Sequence, residues 1–155
     1  MQLLDTALPV GGFSHSFGLE SMVQEGRLSD TTQLKEYIRA MLFHSWAPGD
    51  TMAVKAVYVY APDRDYEAIW LVDRMLHIQR NALETREGLH KMGKRLHRLA
   101  RSLYPDMDIA PLETAISEQR CFGTHPLVHG WISYQLGVPL YMAAEGYLYC
   151  CAAAA

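Results

Sequence analysis

The residues best equipped for chemistry crowd into one stretch, "LPVGGFSHSFGLE" at positions 8–20, where a proline, two glycines and two serines flanking a histidine precede a helix-like start. A serine nucleophile held on a strained elbow needs G-x-S-x-G after a strand. Here Ser16 takes the place of the closing glycine in Gly12-Phe13-Ser14-His15-Ser16, and no strand-like segment comes before it. His15 does not make a dyad with either neighbouring serine, because adjacent side chains diverge. A phosphate-cradling loop needs a lysine after its glycines, and no lysine occurs before Lys35. The stretch therefore reads as neither a hydrolase nor a nucleotidase motif, and no catalytic residue is assigned. Pro9 stiffens the turn, Gly11 and Gly12 admit positive φ, and Ser14 or Ser16 caps a short helix over 17–24. Phe13, His15 and Phe17 are left clustered beside the turn.

Seven histidines raise the possibility of a metal. His90 and His97 lie seven apart on one helix face, and His125 and His129 lie four apart, a spacing that lets two imidazoles share an ion. His125 precedes Pro126, at the edge of a helix, and no H-E-x-x-H pattern is present. Surface or capping histidines are the reading, and neither a metal nor a cofactor is assigned. A small helical metal- or ligand-binding protein using surface histidines is the alternative function. Three cysteines, two of them adjacent, make no disulfide framework. With no signal-peptide pattern at the start, they point to a reducing cytoplasm.

The elements that must position these residues are helical. Leu34, Tyr37, Ile38, Met41 and Leu42 recur at three and four, behind Asp30 and Gln33 in capping-box spacing and ahead of Pro48-Gly49. Asp50 is placed to cap a helix over 51–60; its β-branched "AVYVYA" would suit a strand, but no other segment would pair with it. A third helix over 65–80 aligns Ile69, Val72, Leu76 and Gln79. Pro111 and Pro126 stand where first turns begin, ahead of helices over 112–119 and 127–136, and Gly137 with Pro139 forms a stop. A last helix over 140–151 is apolar nearly all round, hence buried in the core or at an interface. The chain of 155 residues thus reads as one all-α domain, residues 1–155, a bundle of about seven or eight helices. Its closing four alanines suggest a natural chain that continues beyond them. No apolar run approaches the roughly 18 residues of a membrane span.

The clearest helix is "ETREGLHKMGKRLHRLARSLYP", with Leu89, Met92, Leu96, Leu99 and Leu103 forming a seam. Gly88 and Gly93 border that seam and would let a neighbour approach. Opposite it fall Arg86, Lys91, Lys94, Arg95, Arg98 and Arg101, six of the fourteen Lys and Arg residues. A solvated face is the plain reading. Docking of an acidic protein through Lys94, Arg95 and Arg98 is the functional one. Nucleic acid fits poorly, given a net charge of −3 and a face without stacking aromatics.

With these residues in view the chain resembles the UreF family of urease accessory proteins. The string "LLDTALPVGGFSHSFGLESMVQEGRL" carries the resemblance, and "ETREGLHKMGKRLHRLA" and "HPLVHGWISYQLGVPLYMAAEGYLY" continue it more loosely. The resemblance implies an all-α, non-enzymatic cytoplasmic scaffold that dimerises and binds a UreD/UreH-type accessory protein. It also implies recruitment of the GTPase UreG for nickel delivery to apo-urease, and a part in the GTPase cycle. On this view Gly11 and Gly12 present Phe13, His15 and Phe17 as a protein-binding surface, aromatic anchors being common at interface hot spots.

Overall fold

The structure is a computed structural model that describes residues 30–41, 49–80 and 83–154. The glycine-rich opening, with Gly11, Gly12, Phe13, His15 and Phe17, lies outside the described residues. Among those described there are seven α-helices and no strand, as the periodicity requires. They are α1 (Thr31–Met41), α2 (Thr51–Tyr60), α3 (Tyr66–Gln79), α4 (Leu83–Leu103), α5 (Ala110–Ser117), α6 (His125–Gln135) and α7 (Leu140–Ala154), with a 3-10 turn at Ala61–Asp63.

Local signals start and stop these helices. Asp30 Oδ1 accepts the Gln33 N–H at 2.8 Å, one half of the capping box ahead of α1. Pro111 and Pro126 occupy the first turns of α5 and α6. Their missing N–H costs nothing there, since first-turn donors have no intrahelical partner. Gly137, at φ 75°, ends the turn after α6. Asp50 differs from its expected role. Its side chain makes no cap bond; it is buried, pairs with Arg80, and accepts the Tyr147 hydroxyl at 2.6 Å. It therefore ties α2 to the end of α3 and to α7.

The middle of the bundle is α6. Every residue from His125 to Ser133 is buried, and α2, α4 and α7 pack around it. The most deeply buried helix is therefore α6, whereas α7 buries one stripe (Ala143, Tyr147, Cys151) and exposes Tyr141, Met142 and Tyr149. Trp131 of α6 stacks on Trp70 of α3, ring centroids 5.7 Å apart, and its indole N–H donates to the Asp108 carbonyl at 2.9 Å. The seam of α4 is inward as expected, with Leu89, Met92 and Leu96 buried. On α3 the inward set is Ile69, Trp70, Asp73 and Leu76; Gln79 is exposed.

Two glycines set the closest approaches. A Cβ on Gly130 would come within 2.9 Å of the Val54 Cα, so α6 and α2 cross nearly backbone to backbone. A Cβ on Gly93 would lie 2.2 Å from the Gly123 carbonyl oxygen and 2.9 Å from the Thr124 carbonyl carbon. Those atoms are backbone and cannot swing aside, so Gly93→Ala should lower stability by about 2–3 kcal/mol despite alanine's better helix propensity. A urea unfolding midpoint measures this; a midpoint equal to or above the wild-type value would contradict the packing.

Candidate functional site

The basic face of α4 borders a groove. Its wall is α4, through His90, Gly93, Lys94, His97 and Arg101; the opposite wall is Glu113, Ile116 and Ser117 of α5. Phe122, Gly123 and the Val128 side of α6 complete it, enclosing about 470 Å³. The apolar lining comes from Ile116, Phe122 and Val128, while the cationic groups sit on α4.

The segment 118–124 is held in place from three directions. The Arg120 guanidinium pairs with Glu67 and Glu118, each at 2.8 Å, and Arg74 donates to the Arg120 carbonyl at 2.5 Å. The third hold is the Asp73 carboxylate, wholly buried on α3. It accepts the N–H groups of Phe122 (2.6 Å), Gly123 (3.3 Å) and Thr124 (3.2 Å), and the Thr124 hydroxyl (2.6 Å). A carboxylate there also faces the positive end of α6. Phe122 is thereby laid against His77 and His90, ring centroids 3.7 and 5.2 Å away. His77 Nδ1 and His90 Nε2 are 3.0 Å apart, so one donates the proton that the other accepts. Desolvation lowers the pKa of both, reinforced by Arg86 at His77 and by His77 at His90.

Within the groove Glu113 is a counter-ion to α4. It accepts from His97 Nε2 at 3.0 Å and from Arg101. Burial alone would raise its pKa, but these two hydrogen bonds and their charge outweigh that, and it lies below the ordinary carboxylate value. Lys94, Arg95 and Arg98 are exposed and make no ion pair among the described residues. Of the three, only Lys94 lines the groove.

His125 and His129 correct the expectation of surface histidines. Both are buried on α6, ring centroids 6.4 Å apart, against Tyr147 of α7. The His129 Nε2–H donates to the Ala143 carbonyl at 2.9 Å. Desolvation lowers His129 to about 4; desolvation and then the neighbouring His129 lower His125 to about 3. Burial also pushes Cys121 and Cys151 up to about 12 and Cys150 up to about 11, so all three remain thiols at neutral pH. Among the described residues no group of three or more His, Cys, Asp or Glu could hold a metal ion. None of their helices is long and apolar enough to cross a membrane.

Comparison with known proteins assigns the chain a family. The family model described as UreF matches residues 28–155. The chain belongs to the UreF family. It is 31% identical over 149 residues to the urease accessory protein UreF of Lachnoclostridium phytofermentans, a match covering 96% of this chain and 65% of the relative. The UreF of Bacillus sp. strain TB-90 is 33% identical over 152 residues, again 96% and 65%. That of Actinobacillus pleuropneumoniae is 30% identical over 138 residues, 89% and 61%. The chain thus spans a little under two thirds of the length of the UreF proteins it matches.

Sequence reasoning placed the cations of α4 but not the groove beside them. Asp73 carried no signal, because a lone aspartate on an apolar helix face looks like a solvated residue. His125 and His129 had a signal, their spacing of four, but nothing local marks that face of α6 as its most deeply covered. Their burial makes stability pH-dependent. Both histidines are neutral in the fold and take up protons on unfolding once the pH is below the free value of 6.5. Their contribution is therefore complete above that pH and is lost as pH falls toward their folded values of about 4 and 3. Over that window the urea-derived stability should fall by up to about 1.4 kcal/mol per pH unit for each histidine. A His125→Gln, His129→Gln double variant should flatten the slope; an unchanged slope would contradict the assignment.

Proposed function

We propose that this chain is a non-catalytic assembly protein of urease maturation, acting in the cytoplasm. It bridges a UreD/UreH-type accessory protein and the GTPase UreG, so that nickel carried by the GTPase reaches apo-urease. Membership of the UreF family over residues 28–155 is the observation that carries this reading. The chain's own residues agree with it. The glycine-rich opening lacks the lysine of a nucleotide loop, so GTP turnover belongs to the partner. Exposed apolar side chains are available for partners on several helices, among them Leu71, Met75 and Ile78 on α3 and Tyr141, Met142 and Tyr149 on α7. The face of α7 is the one we assign to a homodimer. The second contact surface we assign, from the sequence alone, to Gly11, Gly12, Phe13, His15 and Phe17 of the glycine-rich opening.

The test is co-elution. The full-length protein mixed with the two accessory proteins should run on gel filtration as one complex of at least twice its own protomer mass, and alone it should hydrolyse no GTP. Phe13→Ala should keep the wild-type denaturation midpoint while binding of the GTPase weakens by on the order of 2 kcal/mol. Failure of the wild-type protein to retain either accessory protein would overturn the proposal, as would GTP turnover that survives repurification.

A further inference from the structure

We propose that the groove between α4 and α5 seats an acidic segment of a partner protein. A short extended stretch would place one apolar side chain among Ile116, Phe122 and Val128, and its flanking carboxylates would pair with Lys94 and, by displacing Glu113, with His97 and Arg101. The inference rests on the accessory-protein reading above and adds the chemistry of one docking site.

Three observations favour this occupant. The first is charge. Lys91, Lys94, Arg95, Arg98 and Arg101 put five cations on one side of α4 within about 15 Å of helix. Lys91 and Arg95, like Lys94 and Arg98, are like-charge pairs four apart, which weakens an isolated helix slightly. Of the five, only Arg101 has a carboxylate partner among the described residues. Such a band in a chain of net charge −3 is a local excess that an anionic partner relieves.

The second is the form of the groove. A space of about 470 Å³ with an apolar interior and polar groups at its rim suits a buried side chain with charged neighbours. A sugar–phosphate backbone would meet Ile116 and Val128 there, and the Glu113 carboxylate as well. The third is Glu113 itself. Seated between His97 and Arg101 and 31% exposed, it marks a position where a carboxylate is already accommodated, and it is close enough to solvent to be exchanged for another. Glu113 therefore acts as an internal competitor that a partner's carboxylate replaces.

The probe is a dye-labelled peptide with one leucine flanked on both sides by glutamates, followed by fluorescence anisotropy on the full-length protein. Lys94→Glu, an exposed substitution that leaves the fold intact, should weaken binding by about tenfold or more, and the loss should shrink as salt screens the rim. Glu113→Gln should tighten it several-fold, the opposite of what loss of a merely structural ion pair would do. Exchanging the leucine for glycine, or the glutamates for glutamines, should abolish it. Unchanged affinity in Lys94→Glu, no gain in Glu113→Gln, or equal binding of the glycine peptide would overturn the proposal, as would tighter binding of an oligothymidylate. Retention of the urease accessory proteins is scored in parallel. If wild type and Lys94→Glu retain them equally, the groove is not their seat and the broader function stands. If the peptide behaves as described but no accessory protein is retained, the docking chemistry stands and the urease assignment falls.

Discussion

The carboxylate of Asp73 gathers three consecutive backbone N–H groups and a hydroxyl from a segment some fifty residues further along the chain. Four donors converging on one fully buried side chain leave no cheap alternative for either side. Each buried donor stripped of its acceptor costs about 1–3 kcal/mol. The contact fixes where the chain leaves the corner at 118–121 and where α6 begins. Since α6 is buried from His125 to Ser133, its placement decides that of α2, α4 and α7 around it.

Gly93 is the counterpart of that grip. With the Gly123 carbonyl only 2.2 Å from where a Cβ would sit, α4 must be bare at this one position for the segment gathered by Asp73 to lie down. The same arrangement builds the groove. Phe122 is turned against His77 and His90, Gly123 and Val128 form part of the lining, and Lys94 and His97 stand on the helix turn beside the bare glycine. The groove is thus a consequence of packing that would be needed for stability alone, and its cations are what make it a candidate for recognition.

How much of this could be read beforehand follows the range of each interaction. Seven helices and most of their limits were legible, because the leucine seam of α4, the prolines of α5 and α6 and the glycine after α6 act within a turn or two of themselves. The exposure of Lys94, Arg95 and Arg98 was legible for the same reason, lying opposite the seam. Asp50 shows where such reasoning stops. Its position ahead of α2 suits a cap, yet Arg80 and Tyr147, thirty and ninety-seven residues away, claim its carboxylate. Asp73, the depth of His125 and His129, and the pairing of Glu113 with His97 and Arg101 likewise depend on partners brought together only by the fold. The family resemblance carried the functional reading beyond what these residues alone suggest, and the match over residues 28–155 shows the family itself.

Amide hydrogen exchange at Phe122, Gly123 and Thr124 tests the central role of Asp73 most directly. Ordinary loop amides exchange through small local openings, whereas amides locked to a buried carboxylate exchange only when the surrounding core opens. The account predicts that Gly123 and Thr124 are protected nearly as strongly as Val128 and Leu136 within and just after α6. In Asp73→Asn, whose amide group cannot accept all four donors, their protection should fall by about tenfold or more while helical amides of α1 are unaffected. Rapid exchange at these positions in the wild-type protein, or protection unchanged by the substitution, would contradict it.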